Sequence, residues 1–163
     1  FRRVLFRSRE GLWLLPLDGE RKPIPYLPAD FDYRSARFSP DGRFVAYDSD
    51  EASNVQVFVQ SFPAGSGKWQ ISTTGGTRPI WRRDGKELFY MDPGGMLMSV
   101  EVATTPAFKP GPPRPLFATW IRGSLQEYDV SRDGQRFVML APEKNTQVDP
   151  ATIVMNWPRL LKK

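Results

Sequence analysis

The chain of 163 residues contains no cysteine and no histidine. Without a thiol there is no disulfide, no thiolate nucleophile and no cysteine-based zinc set. Without an imidazole the Ser-His-Asp and Cys-His routes to nucleophilic catalysis are excluded. Compartment stays open, because many proteins of oxidising compartments also lack disulfides. No apolar run reaches the roughly 18 residues that a membrane-crossing helix needs, so no membrane contact is expected in this segment. No glycine loop of the phosphate-cradling kind precedes a helix pattern, and Gly65-Ser66-Gly67 belongs to a hairpin. These absences predict a chain that is not an enzyme and that carries no cofactor and no metal.

What is present favours short strands and turns: 16 prolines, 13 glycines and 13% aromatic residues. One pattern recurs. Phe38-Ser39-Pro40-Asp41-Gly42, Trp81-Arg82-Arg83-Asp84-Gly85 and Val130-Ser131-Arg132-Asp133-Gly134 each lead into an apolar, strand-like run. The second glycine follows the first by 43 positions, and the third follows the second by 49. Self-similarity at about 40–50 residues, combined with strand content, is the mark of propeller blades. A single four-stranded blade cannot cover both its faces, so the repeat also states what the chain assembles into.

Along the chain the pattern divides as follows. Strands at 12–17 and 24–27, joined at Asp18-Gly19, close an incomplete blade over 9–30. Prolines 23, 25 and 28 suit an edge strand, where a missing N–H breaks no ladder bond. The span 31–75 is a whole blade with strands at 35–38, 44–48, 55–60 and 69–72. The span 76–120 repeats it with strands at 79–81, 87–91, 97–103 and 114–117, and a proline-rich surface loop over 104–113. The span 121–163 is an incomplete last blade with strands at 128–130, 136–140 and 152–157 and no outer strand. The expected fold class is therefore all-β, a partial β-propeller of about three four-stranded antiparallel blades, incomplete at both ends. Its open edges predict self-association.

The first eight residues stand apart. Phe1 to Ser8 resembles the translation of a common sequencing-adapter oligonucleotide and is set aside from fold reasoning. It carries Arg2, Arg3 and Arg7, without which the formal net charge of +5 falls to +2. The remaining charges of both signs are interspersed, and no nucleic-acid partner is expected.

The segment Phe38-Ser39-Pro40-Asp41-Gly42-Arg43-Phe44-Val45-Ala46-Tyr47 resembles the TolB-type, WD-like β-propeller repeat. Together with Lys68-Trp69-Gln70-Ile71-Ser72, the Trp81 to Tyr90 stretch and Tyr128-Asp129-Val130-Ser131, it is similar to the C-terminal propeller of a large bacterial group. Many members of that group carry an N-terminal Ser/Thr protein kinase domain and a membrane segment. The resemblance covers about 9–163. It implies a non-catalytic binding or sensing propeller in a larger signalling protein, on the periplasmic or extracytoplasmic side of a membrane. Departures are Arg82-Arg83 where the family has Ser-Pro, and Arg132 where it has Pro. The kinase elements themselves do not occur here. Asp92-Pro93-Gly94 reads as a hairpin turn rather than as the metal-binding triplet of kinases.

Chemistry-bearing residues are few. Asp18, Asp41, Asp84 and Asp133 each precede glycine and read as turn residues rather than acid–base groups. Asp48, Asp50, Glu51 and Asn54 offer oxygen ligands within one loop, but lack the glycine and distal glutamate of a calcium-binding loop, so a solvated turn is expected. Trp69, Trp81, Phe89 and Tyr90 recur at blade positions and read as packing between sheets. Arg82, Arg83 and Arg132 lie in the turns after inner strands and are the candidate binding residues, a positive patch for a protein partner or a small acidic ligand. Two other readings remain: the gating propeller of a prolyl-oligopeptidase-like peptidase, and a periplasmic TolB-like accessory protein. The run Trp157 to Lys163 reads as a basic chain end, which speaks against the peptidase.

Overall fold

The computed structural model describes residues 11–65, 67–119 and 128–140 and places 154–155 in a strand. The octapeptide and most of the strand expected at 152–157 lie outside the described residues.

Four antiparallel sheets follow one another along the chain, with no helix among the described residues. Strands β1 (Leu12–Leu14) and β2 (Ile24–Leu27) form a hairpin. Strands β3 (Tyr33–Phe38), β4 (Phe44–Ser49), β5 (Gln56–Ser61) and β6 (Lys68–Gln70) lie side by side in chain order. The next sheet repeats this with β7 (Thr77–Trp81), β8 (Glu87–Met91) and β9 (Met96–Ala103). Its outer edge is shared by β10 (Lys109–Pro110) and β11 (Arg114–Ala118), which pair with the two halves of the long β9. The last sheet holds β12 (Tyr128–Val130), β13 (Arg136–Met139) and β14 (Val154–Met155).

The two large sheets are meanders whose first strands lie innermost. The densest contact between the two large sheets is that of β3 with β7. These two sheets therefore meet at their first strands and diverge outward, the arrangement of propeller blades about an axis. The fold is a partial β-propeller.

Alternation along the second and third strands builds the core. Phe44, Ala46, Val57 and Val59 face the following sheet, where they meet Trp81, Leu88, Tyr90, Val100 and Val102. The opposite face of the same sheet, Val45, Tyr47 and Phe58, packs on Tyr26 and Leu27 of the first hairpin. Phe89, Met91 and Leu97 carry the stacking on to Tyr128 and Phe137. Every residue of β4 is buried, which a sheet covered on both faces requires.

Two expectations are corrected. The loop over 104–113 is not purely a surface segment. Phe108 is buried between the two large sheets, its ring 4.9 Å from Phe44 and 4.7 Å from Trp69 by centroids. Diverging sheets leave a wedge at their outer edges, and a large aromatic fills it, a burial worth about 2–3 kcal/mol. The first strand also stops at Leu14 rather than running to 17. Pro16, which has no N–H to give to a ladder, follows that end.

The inner strands share a second device. In β3 the register slips by one residue between Arg34 and Arg37, and in β7 between Thr77 and Ile80. Ser35 (φ 50°) and Arg78 (φ 55°) occupy the left-handed region at these bulges. The two positions are 43 apart, the same as the first two glycines of the repeat. The bulge turns the Arg78 N–H toward the previous sheet, where it donates to Asp48 Oδ1 at 3.1 Å. The Ser35 hydroxyl donates to the same carboxylate. Burial pushes the Asp48 carboxyl above its ordinary value, and these two donors oppose that rise. One sheet further on, the Tyr128 hydroxyl donates to the Arg78 carbonyl at 2.9 Å.

Asp48 is 2% exposed, so removing its acceptor leaves buried donors without a partner. Asp48→Ala should lower stability by about 1–3 kcal/mol in chemical denaturation, whereas Asp48→Asn, which keeps a carbonyl oxygen for the Arg78 N–H, should cost less than about 1 kcal/mol.

Candidate functional site

The three Asp-Gly turns are built alike. Ser39 N–H donates to the Phe44 carbonyl at 2.8 Å, Arg82 N–H to Glu87 at 2.8 Å and Ser131 N–H to Arg136 at 2.8 Å. In each, the glycine N–H closes the turn at 2.9 Å, and the glycine adopts φ of 71°, 72° and 72° in turn. Each aspartate accepts the N–H two residues on: Arg43 at 3.1 Å, Lys86 at 3.0 Å and Gln135 at 3.0 Å. In the first and third turns a serine hydroxyl also donates to that aspartate. In the second, Arg82 replaces the serine and makes the same link with its guanidinium, Nε to Asp84 Oδ1 at 2.8 Å and Nη2 to Oδ2 at 2.9 Å. Asp92 likewise accepts the Met96 N–H at 2.7 Å in the β8–β9 hairpin. The turn aspartates are thus engaged with their own backbones.

The structure separates the three candidate arginines. Arg82 is half-buried, and its Nη1 also reaches Glu87 Oε2 at 2.6 Å, so its charge is compensated twice. Arg132 is exposed and shares a shallow surface depression with Ser131, Asp133 and Arg136. Arg83 is exposed and forms no ion pair with a described residue. It stands on a larger groove of about 650 Å³ that runs across the ends of β3, β7 and β12.

That groove brings in residues that sequence reasoning did not single out. Arg37 lines it, its guanidinium held only by the Ala36 carbonyl at 3.2 Å among the described residues. Phe38, Ile80 and Trp81 supply an apolar floor, and Phe38 is half-exposed. Trp81 is fixed there because its indole Nε1 donates to the Arg37 carbonyl at 3.3 Å, across the gap between sheets. Tyr128 and Asp129 form the third side. The groove can therefore hold an elongated ligand with apolar contact along its base and a negative group toward Arg37 and Arg83. Arg37 carried no signal in the sequence, because only the packing of β3 beside β7 brings it toward Arg83.

The side chains of Asp48, Asp50, Glu51 and Asn54 are engaged within the protein, and Asp48 is buried rather than part of a solvated turn. Asp48 is buried on Arg78 and Ser35, Glu51 pairs with Lys68, and Asp50 Oδ1 accepts the Asp32 N–H at 2.9 Å. Asn54 Oδ1 accepts from Gln56 Nε2 at 2.8 Å. No cluster able to hold a metal occurs among the described residues.

No protein-family model matches the chain, and no curated protein matches it. Among solved structures, the crystal structure of TolB from Acinetobacter baumannii is similar, with 16% identity and a TM-score of 0.45. The match covers 91% of this chain and 49% of that one, so the chain spans about half the length of that TolB. The propeller assignment rests on sheet order, register and the repeated turns rather than on this likeness.

Two outcomes follow from the turns. A Cβ built on Gly134 would lie 2.5 Å from Arg82 Cδ, whereas one on Gly42 meets nothing within 4 Å. Gly42→Ala should cost about 1–2 kcal/mol from its left-handed backbone alone. Gly134→Ala should cost more, and the excess should vanish in an Arg82→Ala background, read by a double-mutant cycle. The second outcome concerns pH. Arg82 beside Asp84 holds that carboxyl below its ordinary 3.8, and the Ser131 hydroxyl does so for Asp133. A carboxyl lowered by folding contributes stability that is present above the unfolded value and lost as pH falls through the folded one. The melting temperature should fall on acidification from about pH 5 to about pH 2, and Asp84→Asn should flatten that fall.

Proposed function

We propose that the chain is a non-catalytic binding segment of a β-propeller, and that its ligand-contacting surface is the groove across the ends of β3, β7 and β12. The observation that carries this is the pair Arg37 and Arg83, exposed and without carboxylate partners among the described residues, beside an apolar floor of Phe38, Ile80 and Trp81. A binding reading is also supported by the carboxylates: Asp41, Asp84 and Asp133 are each occupied by turn N–H groups. The ligand class is an extended polypeptide segment with an acidic residue beside an apolar one. An exposed aromatic anchor with a guanidinium at its rim is the composition common to protein-binding hot spots. In its larger setting we assign the segment to a bacterial signalling protein, with the protein partner as the sensed species, on the strength of the sequence resemblance.

Calorimetric titration with short peptides of matched length tests this. An acidic–apolar peptide should bind, and a basic one of the same length should not. Combining Arg37→Ala with Arg83→Ala should weaken binding at least about tenfold, with the affinity falling as salt rises. Equal affinity in the double variant, or equal affinity for the basic peptide, refutes the groove as the site.

A further inference from the structure

A chain of hydrogen bonds crosses three sheets beside the groove. It begins at Ser35 of β3, whose hydroxyl donates to the Asp48 carboxylate of β4. The same carboxylate accepts the Arg78 N–H of β7 at 3.1 Å, and the Arg78 carbonyl accepts the Tyr128 hydroxyl of β12 at 2.9 Å. Asp48 thus joins two bulges, because Ser35 and Arg78 are the left-handed residues at which β3 and β7 slip register. The groove begins two residues further along each strand, at Arg37 and Phe38 of β3 and at Ile80 and Trp81 of β7. There a second link joins the strands, from the Trp81 indole to the Arg37 carbonyl at 3.3 Å. One repeat later Met91 stands in the place of Asp48, 43 positions on, and Tyr128 supplies the tie instead. Of these two repeats, the one with the carboxylate is the one whose interface lies between Arg37 and Arg83.

We propose that Asp48 is the positioning residue of the groove: by holding the bulges of β3 and β7 together, its carboxylate sets the spacing of Arg37 and Phe38 from Ile80, Trp81 and Arg83 at which a peptide is read. The inference rests on the groove as the peptide-binding surface. Apolar packing between the two sheets is non-directional and leaves the inner strands free to slide. Two hydrogen bonds to one carboxylate fix their register, and a charged acceptor makes both stronger than a neutral one would. A left-handed backbone at serine and arginine is strained and persists only where its surroundings over-determine it. Asp48 supplies that constraint, because without it the Arg78 N–H is buried and unpaired. Asp48→Ala removes both links. Asp48→Asn keeps them, since the amide oxygen accepts from Arg78 and the Ser35 hydroxyl pairs with either end of an amide.

Calorimetric titration with the acidic–apolar peptide and the indole N–H resonances of the ligand-free chain test this together. Asp48→Ala should weaken peptide binding at least about fivefold, and Asp48→Asn less than about twofold. In the ligand-free protein the Trp81 indole resonance should move in Asp48→Ala and return in Asp48→Asn. That of Trp69, which packs on Phe108 at the outer edge, should stay in place in both. Unchanged affinity in Asp48→Ala, an unmoved Trp81 resonance, or an equal loss in Asp48→Asn overturns the proposal. Failure of the groove itself reads differently. A peptide that does not bind, or one indifferent to the paired Arg37→Ala and Arg83→Ala changes, refutes the groove as the binding surface, and the Trp81 resonance alone then decides the role of Asp48. If Asp48→Ala loses its cooperative melt, Ser35→Gly decides, since glycine accepts a φ of 50° freely while the hydroxyl link is gone. It should weaken binding at least about twofold and move the Trp81 resonance, and no change in either overturns the proposal.

Discussion

Each of the two large sheets of this protein has two apolar faces, and both are covered by neighbouring sheets. That constraint organises the whole array. In β4 both alternating sets are apolar for most of their length, Phe44 and Ala46 on one side, Val45 and Tyr47 on the other. A sandwich would cover only one of them. A row of sheets covers both, and the twist of each sheet turns the row about an axis. The wedge between diverging sheets then needs a filler, which the 104–113 loop supplies in Phe108. The inner strands, which cannot diverge, are tied by hydrogen bonds instead: Arg78 to Asp48, Trp81 to Arg37 and Tyr128 to Arg78.

The same crowding at the inner strands creates the groove. Bulges at Ser35 and Arg78 shift the ends of β3 and β7 by one residue relative to their partners. The residues beyond them, Arg37 with Phe38 and Ile80 with Trp81, then line a common surface with Tyr128 and Asp129. The turns that follow are held by aspartates that accept backbone N–H groups, with glycine supplying the left-handed residue. Arg82 belongs to the second of them. It replaces a serine in the turn, binds Asp84 and Glu87, and lies close against Gly134 of the next repeat. A cation that reads as surface charge is here a wall between neighbouring blades.

Much of this was legible in the residues. The Asp-Gly spacing located the three turns, since a left-handed glycine after an aspartate that accepts a local N–H is a property of four or five adjacent residues. The alternation of 55–60 gave β5, and apolar runs gave β4 and β8, because strand formation depends on a period of two. The all-β class and the serial sheets follow from the same local signals. Phe108 was not legible, because a lone aromatic among prolines has no period. The split of the outer edge between β10 and β11 was hidden for the same reason.

The candidate site divides along the same line. The sequence determined that Arg82, Arg83 and Arg132 follow inner strands, and that histidine and cysteine chemistry is absent, because these are facts of order and composition. Tertiary structure decided which of those charges are paired and which line the groove. Arg82 is neutralised by carboxylates brought to it by the turn and the strand after it, Arg132 stands apart with Asp133 and Arg136, and Arg83 faces Arg37's groove. Arg83 and Arg37 lie 46 positions apart in the chain and in different sheets. No local pattern relates them, since their nearness depends on where one sheet settles against another, and that is set by the sum of apolar contacts between the two faces.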